Sequence, residues 1–152
     1  MAEGPSACHV NGIGGCFLFS PEPARLAEWY ADAFGLQLET YGETSFGVTF
    51  GAVDPSDPKR RLETVFSVMK AKVDLPGLPH RPDPVQPSDM YGDQPFMLNL
   101  RVDDLDALLT RLEARGVPIL ARQEEEYGRF AWIHDPERRR LELWEPGQPF
   151  TG

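Results

Sequence analysis

The sequence predicts an α+β fold of two βαβββ modules that together form a curved mixed β-sheet around a cleft. Three observations carry this prediction. A strand, a helix and three further strand-like runs follow one another in that order, and the order then repeats. Equivalent landmarks, such as the helix-ending Gly35 and Gly116, are offset by about 80 residues, as an internal duplication gives. A proline-rich stretch separates the two copies.

In the first copy, Gly15 to Ser20 is a short apolar strand. Pro21-Glu22-Pro23 then opens a helix, with Ser20 suited to cap it and Glu22 to the positive helix end. Leu26, Trp29, Tyr30, Ala33 and Phe34 recur at helical spacing, and Gly35 supplies the stop. Strand-like runs follow near Leu36–Thr40, Ser45–Ala52 and Glu63–Lys70. In the second copy, Phe96–Val102 is a strand, and Asp103-Asp104 starts a helix carrying Leu105, Leu108, Leu109 and Leu112. Gly116 ends that helix, and strands follow near Val117–Arg122, Gly128–His134 and Arg140–Glu145. A local echo supports the duplication: Asp57-Pro58-Lys59-Arg60-Arg61-Leu62-Glu63 is similar to Asp135-Pro136-Glu137-Arg138-Arg139-Arg140-Leu141-Glu142, one residue longer.

Module one thus spans about 12–73, module two 96–146, and a connector 74–95 joins them in one domain covering 1–152. The connector carries Pro76, Pro79, Pro82, Pro84, Pro87 and Pro95, and so many missing backbone donors exclude regular helix or sheet. An ordered strap over the surface or a cavity mouth is the expectation, with a disordered linker as the alternative. A single βαβββ unit is too small to bury its own sheet, which favours the strap.

Composition narrows the function. With 41% hydrophobic and 26% charged residues, the 152-residue chain is that of an ordinary globular protein. No apolar run reaches bilayer length, and the first residues lack a secretion signal, so a cytoplasmic location and no membrane partner are expected. The net charge of −9 makes nucleic acid a poor partner. Cys8 and Cys16 form no CxxC motif, which argues against a zinc ribbon or a disulfide scaffold, and Cys16 reads as a small buried hydrophobe.

The order of elements, with the turn Asp135-Pro136-Glu137 running into Leu141-Glu142-Leu143-Trp144-Glu145, resembles the vicinal oxygen chelate superfamily. That group includes glyoxalase I, extradiol dioxygenases, fosfomycin resistance enzymes and bleomycin-binding resistance proteins. The resemblance covers about Gly12 to Pro146, and Tyr127 through Glu145 is its specific part. Relatives usually place glycine where Arg138 stands, so a positive φ there implies modest strain.

The resemblance implies four side chains, from the first and last strand of each module, around one divalent ion such as Zn, Ni, Fe or Mn. Aligning the helices places Gly15 at the first position and Met97 at the third, neither suited to such an ion. Glu142 keeps the fourth. The second falls on Glu63 by the echo or on Ser67 by strand alignment, and both share strand parity. His9, His80 and His134 lie away from these positions. The expectation is therefore no metal cofactor, with one divalent ion on Glu142 and Glu63 as the alternative.

Strand parity still outlines a pocket. Met97, Asn99 and Arg101 share one face, opposite Leu98, Leu100 and Val102. Phe17, Phe19, Tyr127, Phe130, Trp132, Glu142 and Trp144 complete the expected ligand-binding set, with Glu142 the one catalytic candidate. The competing assignment packs the aromatics in the core and pairs Arg101 with Glu142. Three functions follow: a metal-free, homodimeric binder of a small organic ligand, of the bleomycin-resistance type; a glyoxalase- or dioxygenase-type lyase or oxidoreductase with a rearranged metal site; or a metal-free enzyme with Glu142 as general acid/base. The homodimer is implied by the resemblance.

Overall fold

A computed structural model of the chain describes residues 10–75 and 86–147. Two helices and two four-stranded mixed sheets make up the fold. Contacts divide the chain into two compact units, one built from residues up to Ala27 and Gln37–Lys72, the other from Glu28–Leu36 and the residues from Val73 onward.

The first unit holds β1 (Gly15–Ser20), β2 (Glu39–Tyr41), β3 (Ser45–Asp54) and β4 (Asp57–Lys70), in the order β1-β4-β3-β2. β1 runs parallel to β4, and the other pairs are antiparallel. Leu18, Phe66 and Val68 point to one face and are buried, as are Leu26 and Ala27 from the start of α1 (Pro23–Phe34). The Ser20 hydroxyl accepts the Glu22 N–H at 3.0 Å just before the helix, which fixes the entry turn. Phe17 and Phe19 stand on the opposite face, each about half exposed.

The second unit holds β5 (Leu98–Arg101), α2 (Leu105–Ala114), β6 (Ala121–Glu125), β7 (Gly128–His134) and β8 (Arg140–Pro146), in the order β5-β8-β7-β6. β5 is parallel to β8, and the remaining pairs are antiparallel, so the topology of the first sheet is repeated. The Asp104 carboxylate caps α2 by accepting the Ala107 N–H at 3.0 Å, and Glu145 of β8 accepts the Leu105 N–H at 2.8 Å. Leu105, Leu109 and Leu112 are buried with Ala131, Ile133, Leu141 and Leu143. The later residues of α1 belong here too. The Tyr30 hydroxyl donates to the buried Asp135 carboxylate at 2.7 Å, and Arg111 donates to the Asp32 carbonyl at 2.7 Å.

Three strands start later than the sequence reading puts them, each for a local reason. β2 starts at Glu39 rather than Leu36, because Gly35, at φ +69°, turns the Leu36 N–H back onto the Ala31 carbonyl at 3.1 Å. β6 starts at Ala121 rather than Val117, since Val117 donates to the Leu112 carbonyl and Pro118 has no N–H to give. β5 starts at Leu98 rather than Phe96. The Gln94 amide accepts the Arg140 N–H at 2.8 Å and donates to the Arg140 carbonyl at 3.2 Å, occupying the groups that a longer β5 would need.

The echo between the halves also breaks. The Asp54 carboxylate accepts the Ser56 N–H and hydroxyl at 2.9 and 2.7 Å, closing the hairpin turn there, so Asp57–Leu62 is strand. Asp135–Arg139, its counterpart, is a turn built around the Asp135 carboxylate. In that turn Arg138 sits at φ +69°, the positive value expected of the glycine position, and it is the non-glycine residue among the described ones to do so. Cys16 is only half-buried. Among the described residues, no helix is long and apolar enough to cross a membrane. His9, His80, Cys8 and the prolines 76, 79, 82 and 84 lie outside the described residues.

Candidate functional site

The register of the second sheet sets the site out in rows. Asn99 of β5 lies opposite Glu142 of β8, which lies opposite Trp132 of β7. Arg101, Trp144 and Phe130 form the next row, two residues along each strand. Side chains two apart share a face, so all six are on one side of the sheet, with Leu100, Leu143 and Ala131 on the other. The alternation read from the sequence therefore places these residues as expected.

Glu142 is 8% exposed, and hydrogen-bond donors reach both its oxygens. Asn99 donates through Nδ2 to Oε2 at 2.6 Å, and the Tyr91 hydroxyl donates to Oε1 in a very short contact. A buried carboxylate requires such partners. The competing assignment, a pairing of Arg101 with Glu142, does not occur: no ion pair joins the two, and Arg101 is exposed. Burial, reinforced by the hydrogen bond and negative charge of Glu142, pushes the Tyr91 phenol well above the ordinary tyrosine range.

Tyr91 comes from the connector, and it is the site residue that the sequence reading missed. Among the described residues of the connector, Pro87–Met90 forms a 3-10 turn just ahead of Tyr91. Met90 is buried, and Arg140, 2% exposed, holds Asp93 through contacts of 2.5 and 3.1 Å and also donates to the Met90 carbonyl at 3.2 Å. Gly92 stands between these anchors at φ +97°, where only glycine is unstrained. In the sequence Arg140 only opens the last strand after a charged turn, so nothing in it announced that this arginine would be buried and would fix Tyr91 over Glu142.

The aromatic side chains form a wall. Phe130 and Trp132 are near-parallel at 6.3 Å between centroids and 16° between planes, and Phe130 and Trp144 at 6.4 Å and 11°. Tyr127, in the turn beyond β6, meets Phe130 edge-on at 5.7 Å, and Tyr91 meets Trp132 edge-on at 6.1 Å. Trp144 donates its indole N–H to the Tyr127 carbonyl at 3.3 Å and lies tightly over Gly128, where an added Cβ would be 2.4 Å from Nε1. Trp132 is wholly buried, yet its indole N–H has no acceptor. Met97 is half-buried just ahead of β5, while Phe17 and Phe19 belong to the other unit. A hollow of about 500 Å³ at the α2–β6 connection, lined by Glu113, Gly116, Val117, Ile119 and Arg122, contains none of these residues.

The metal positions do not fit a divalent ion. Ser67 pairs with Phe17, two residues past Gly15, just as Glu142 pairs with Asn99, two past Met97, so the register equates Ser67 with Glu142. Glu63 instead pairs with Gly51 on the long hairpin and is exposed. The set is thus a glycine, a hydroxyl, a thioether and a carboxylate, poor donors for a hard or borderline ion. A side chain at Gly15 has no room, since its Cβ would sit 2.8 Å from the Val65 carbonyl oxygen. Among the described residues, no three His, Cys, Asp or Glu side chains gather.

Comparisons with known proteins agree with this architecture. A family model described as Glyoxalase/Bleomycin resistance protein/Dioxygenase superfamily matches residues 12–143. No curated protein matches. Among solved structures, TioX from Micromonospora sp. ML1 is similar at a TM-score of 0.58 and 15% identity, covering 90% of this chain and 99% of that one. TnmS3, an antibiotic binding protein from Streptomyces sp. CB03234, is similar at 0.55 and 18%, covering 91% and 98%. A lactoylglutathione lyase from Agrobacterium tumefaciens is similar at 0.55 and 16%, covering 90% and 94%. At these identities the likeness is one of fold, and this fold carries both binding and catalysis.

Proposed function

The chain belongs to the Glyoxalase/Bleomycin resistance protein/Dioxygenase superfamily, and on that premise we propose that it binds a small organic molecule on the aromatic face of its second sheet, without a metal ion. One observation carries the reading: Phe130, Trp132 and Trp144 stand near-parallel beside a buried Glu142 whose partners are neutral hydrogen-bond donors. Parallel rings offer a flat apolar surface, and the carboxylate supplies a directional contact at its edge. The likeness to an antibiotic binding protein makes binding one role that this fold performs, as the likeness to a lactoylglutathione lyase does for catalysis. The alternative, a lyase or oxidoreductase with a rearranged metal site, requires donors that positions 15, 67 and 97 do not supply.

Calorimetric titration with indole, a planar probe, tests the reading. Saturable binding to the whole protein is expected, weakened at least fivefold by Trp144→Ala; the absence of binding would overturn it. Metal analysis of protein purified without chelator should give far less than one equivalent of Zn, Ni, Fe or Mn per chain. A cytoplasmic location, from the composition, and a homodimer, from the family resemblance, complete the proposal, and a monomer by light scattering at micromolar concentration would remove the dimer from it.

A further inference from the structure

The Tyr91 hydroxyl occupies a polar niche on the aromatic face. Glu142 Oε1 accepts its proton on one side. On the other lies the Trp132 indole N–H, wholly buried and without an acceptor. The Trp132 ring meets the Tyr91 ring edge-on at 6.1 Å and stands opposite Glu142 across the β7–β8 pair, which sets the indole beside the phenol without a hydrogen bond between them. The niche therefore holds one acceptor that needs a donor and one donor that needs an acceptor, with only the first fully served. A buried N–H left in this state is a standing cost that a better-placed oxygen would relieve.

We infer that the Tyr91 phenol is a tethered occupant of a hydroxyl-binding niche, and that a hydroxyl borne on the aromatic ring of a ligand replaces it there when the Tyr91 side chain rotates outward. This rests on the aromatic-face reading and names the ligand chemistry of that face. The choice of a neutral hydroxyl follows from hydrogen-bond capacity. An ammonium has donors only: it satisfies Glu142 and leaves the Trp132 N–H facing another donor. A carboxylate accepts from Trp132 but meets the like charge of Glu142. A hydroxyl donates to one and accepts from the other, as the tyrosine itself half achieves.

The strap favours rotation of the side chain over movement of the loop. Met90 on one side of Tyr91 and Asp93 on the other are pinned to Arg140. Tyr91 itself is 55% exposed, so its ring has open space on the solvent side into which to turn. Rotation about side-chain bonds leaves these anchors in place.

Calorimetric titration of the wild-type protein and of Tyr91→Ala with p-cresol, benzylamine and benzoate tests the inference. Tyr91→Ala should bind p-cresol at least tenfold more tightly than wild type, and at least tenfold more tightly than it binds the other two probes. Adding Glu142→Gln to Tyr91→Ala should remove most of that gain. Equal or tighter binding of benzylamine or benzoate, or no gain for p-cresol, would overturn it. Should the alanine variant lose its far-ultraviolet circular dichroism, Tyr91→Ser repeats the titration with a short polar side chain in place. If indole binds the wild type and Trp144→Ala weakens it while p-cresol shows no gain, the niche alone is overturned. If neither indole nor p-cresol binds any form, the aromatic-face reading falls and the niche with it.

Discussion

Arg140 and Asp93 form a two-pronged ion pair, at 2.5 and 3.1 Å, between the last strand and the connector. Through it a residue of the chain's least regular segment becomes part of a well-defined site. The arginine is 2% exposed, so its charge depends on that partner. Asp93→Ala, which strands the guanidinium, should destabilise the protein by about 3 kcal/mol in urea unfolding. An unchanged midpoint would show that the clasp is dispensable.

Tyrosinate absorbance offers a view of the Tyr91–Glu142 contact that needs no ligand. The protein contains four tyrosines; Tyr91 should ionise above the ordinary range, because burial and then Glu142 oppose its phenolate. Its raised value means that this contribution to stability is whole below about pH 10 and declines as pH rises through the folded-state value. Glu142→Gln removes the charge and keeps an acceptor, so Tyr91 should shift only part of the way back. If the alkaline titration of Tyr91→Phe lost an ordinary tyrosine rather than a late one, the contact would be refuted.

Arg138 adopts φ +69° with a side chain that disfavours it. Arg138→Gly relieves about 1 kcal/mol of backbone strain and returns part of it through a freer unfolded chain. The expected net gain is about 0.5 kcal/mol, read as a small rise in thermal midpoint. A fall would mean that the arginine side chain stabilises the turn.

Gly128 has the opposite character. At φ +146°, with an added Cβ 2.4 Å from Trp144 Nε1 and 2.6 Å from the Glu145 carbonyl oxygen, it has neither conformational nor spatial tolerance for a side chain. Gly128→Ala should cost about 3 kcal/mol and displace the Trp144 indole, shifting its fluorescence emission. Intact emission with unchanged stability would contradict the packing described.

The periodic parts of this chain are legible in its sequence. β1, β7 and the faces of β5 and β8 follow alternation, and alternation is local. The order of elements is readable for the same reason. Tyr91 is not, because its place depends on Arg140, Asp93 and Gln94 meeting across 46 or 47 positions of sequence, and proline-rich irregular chain has no period. Ser67 and Glu63 have the same parity, and only the pairing register separates them. The extra length of β4 is hidden because its charged residues resemble a turn, while the real turn is closed by the Asp54 carboxylate just ahead of them.

The Tyr30–Asp135 bond gives α1 a divided allegiance. The helix is encoded within the first repeat, but from Glu28 to Leu36 it is built into the unit formed by the second. A gene cut at the connector would separate the two sequence repeats without separating the two structural units. The C-terminal fragment would retain the buried Asp135 carboxylate and lose the phenol that donates to it. The two repeats of the fold are therefore not two interchangeable halves.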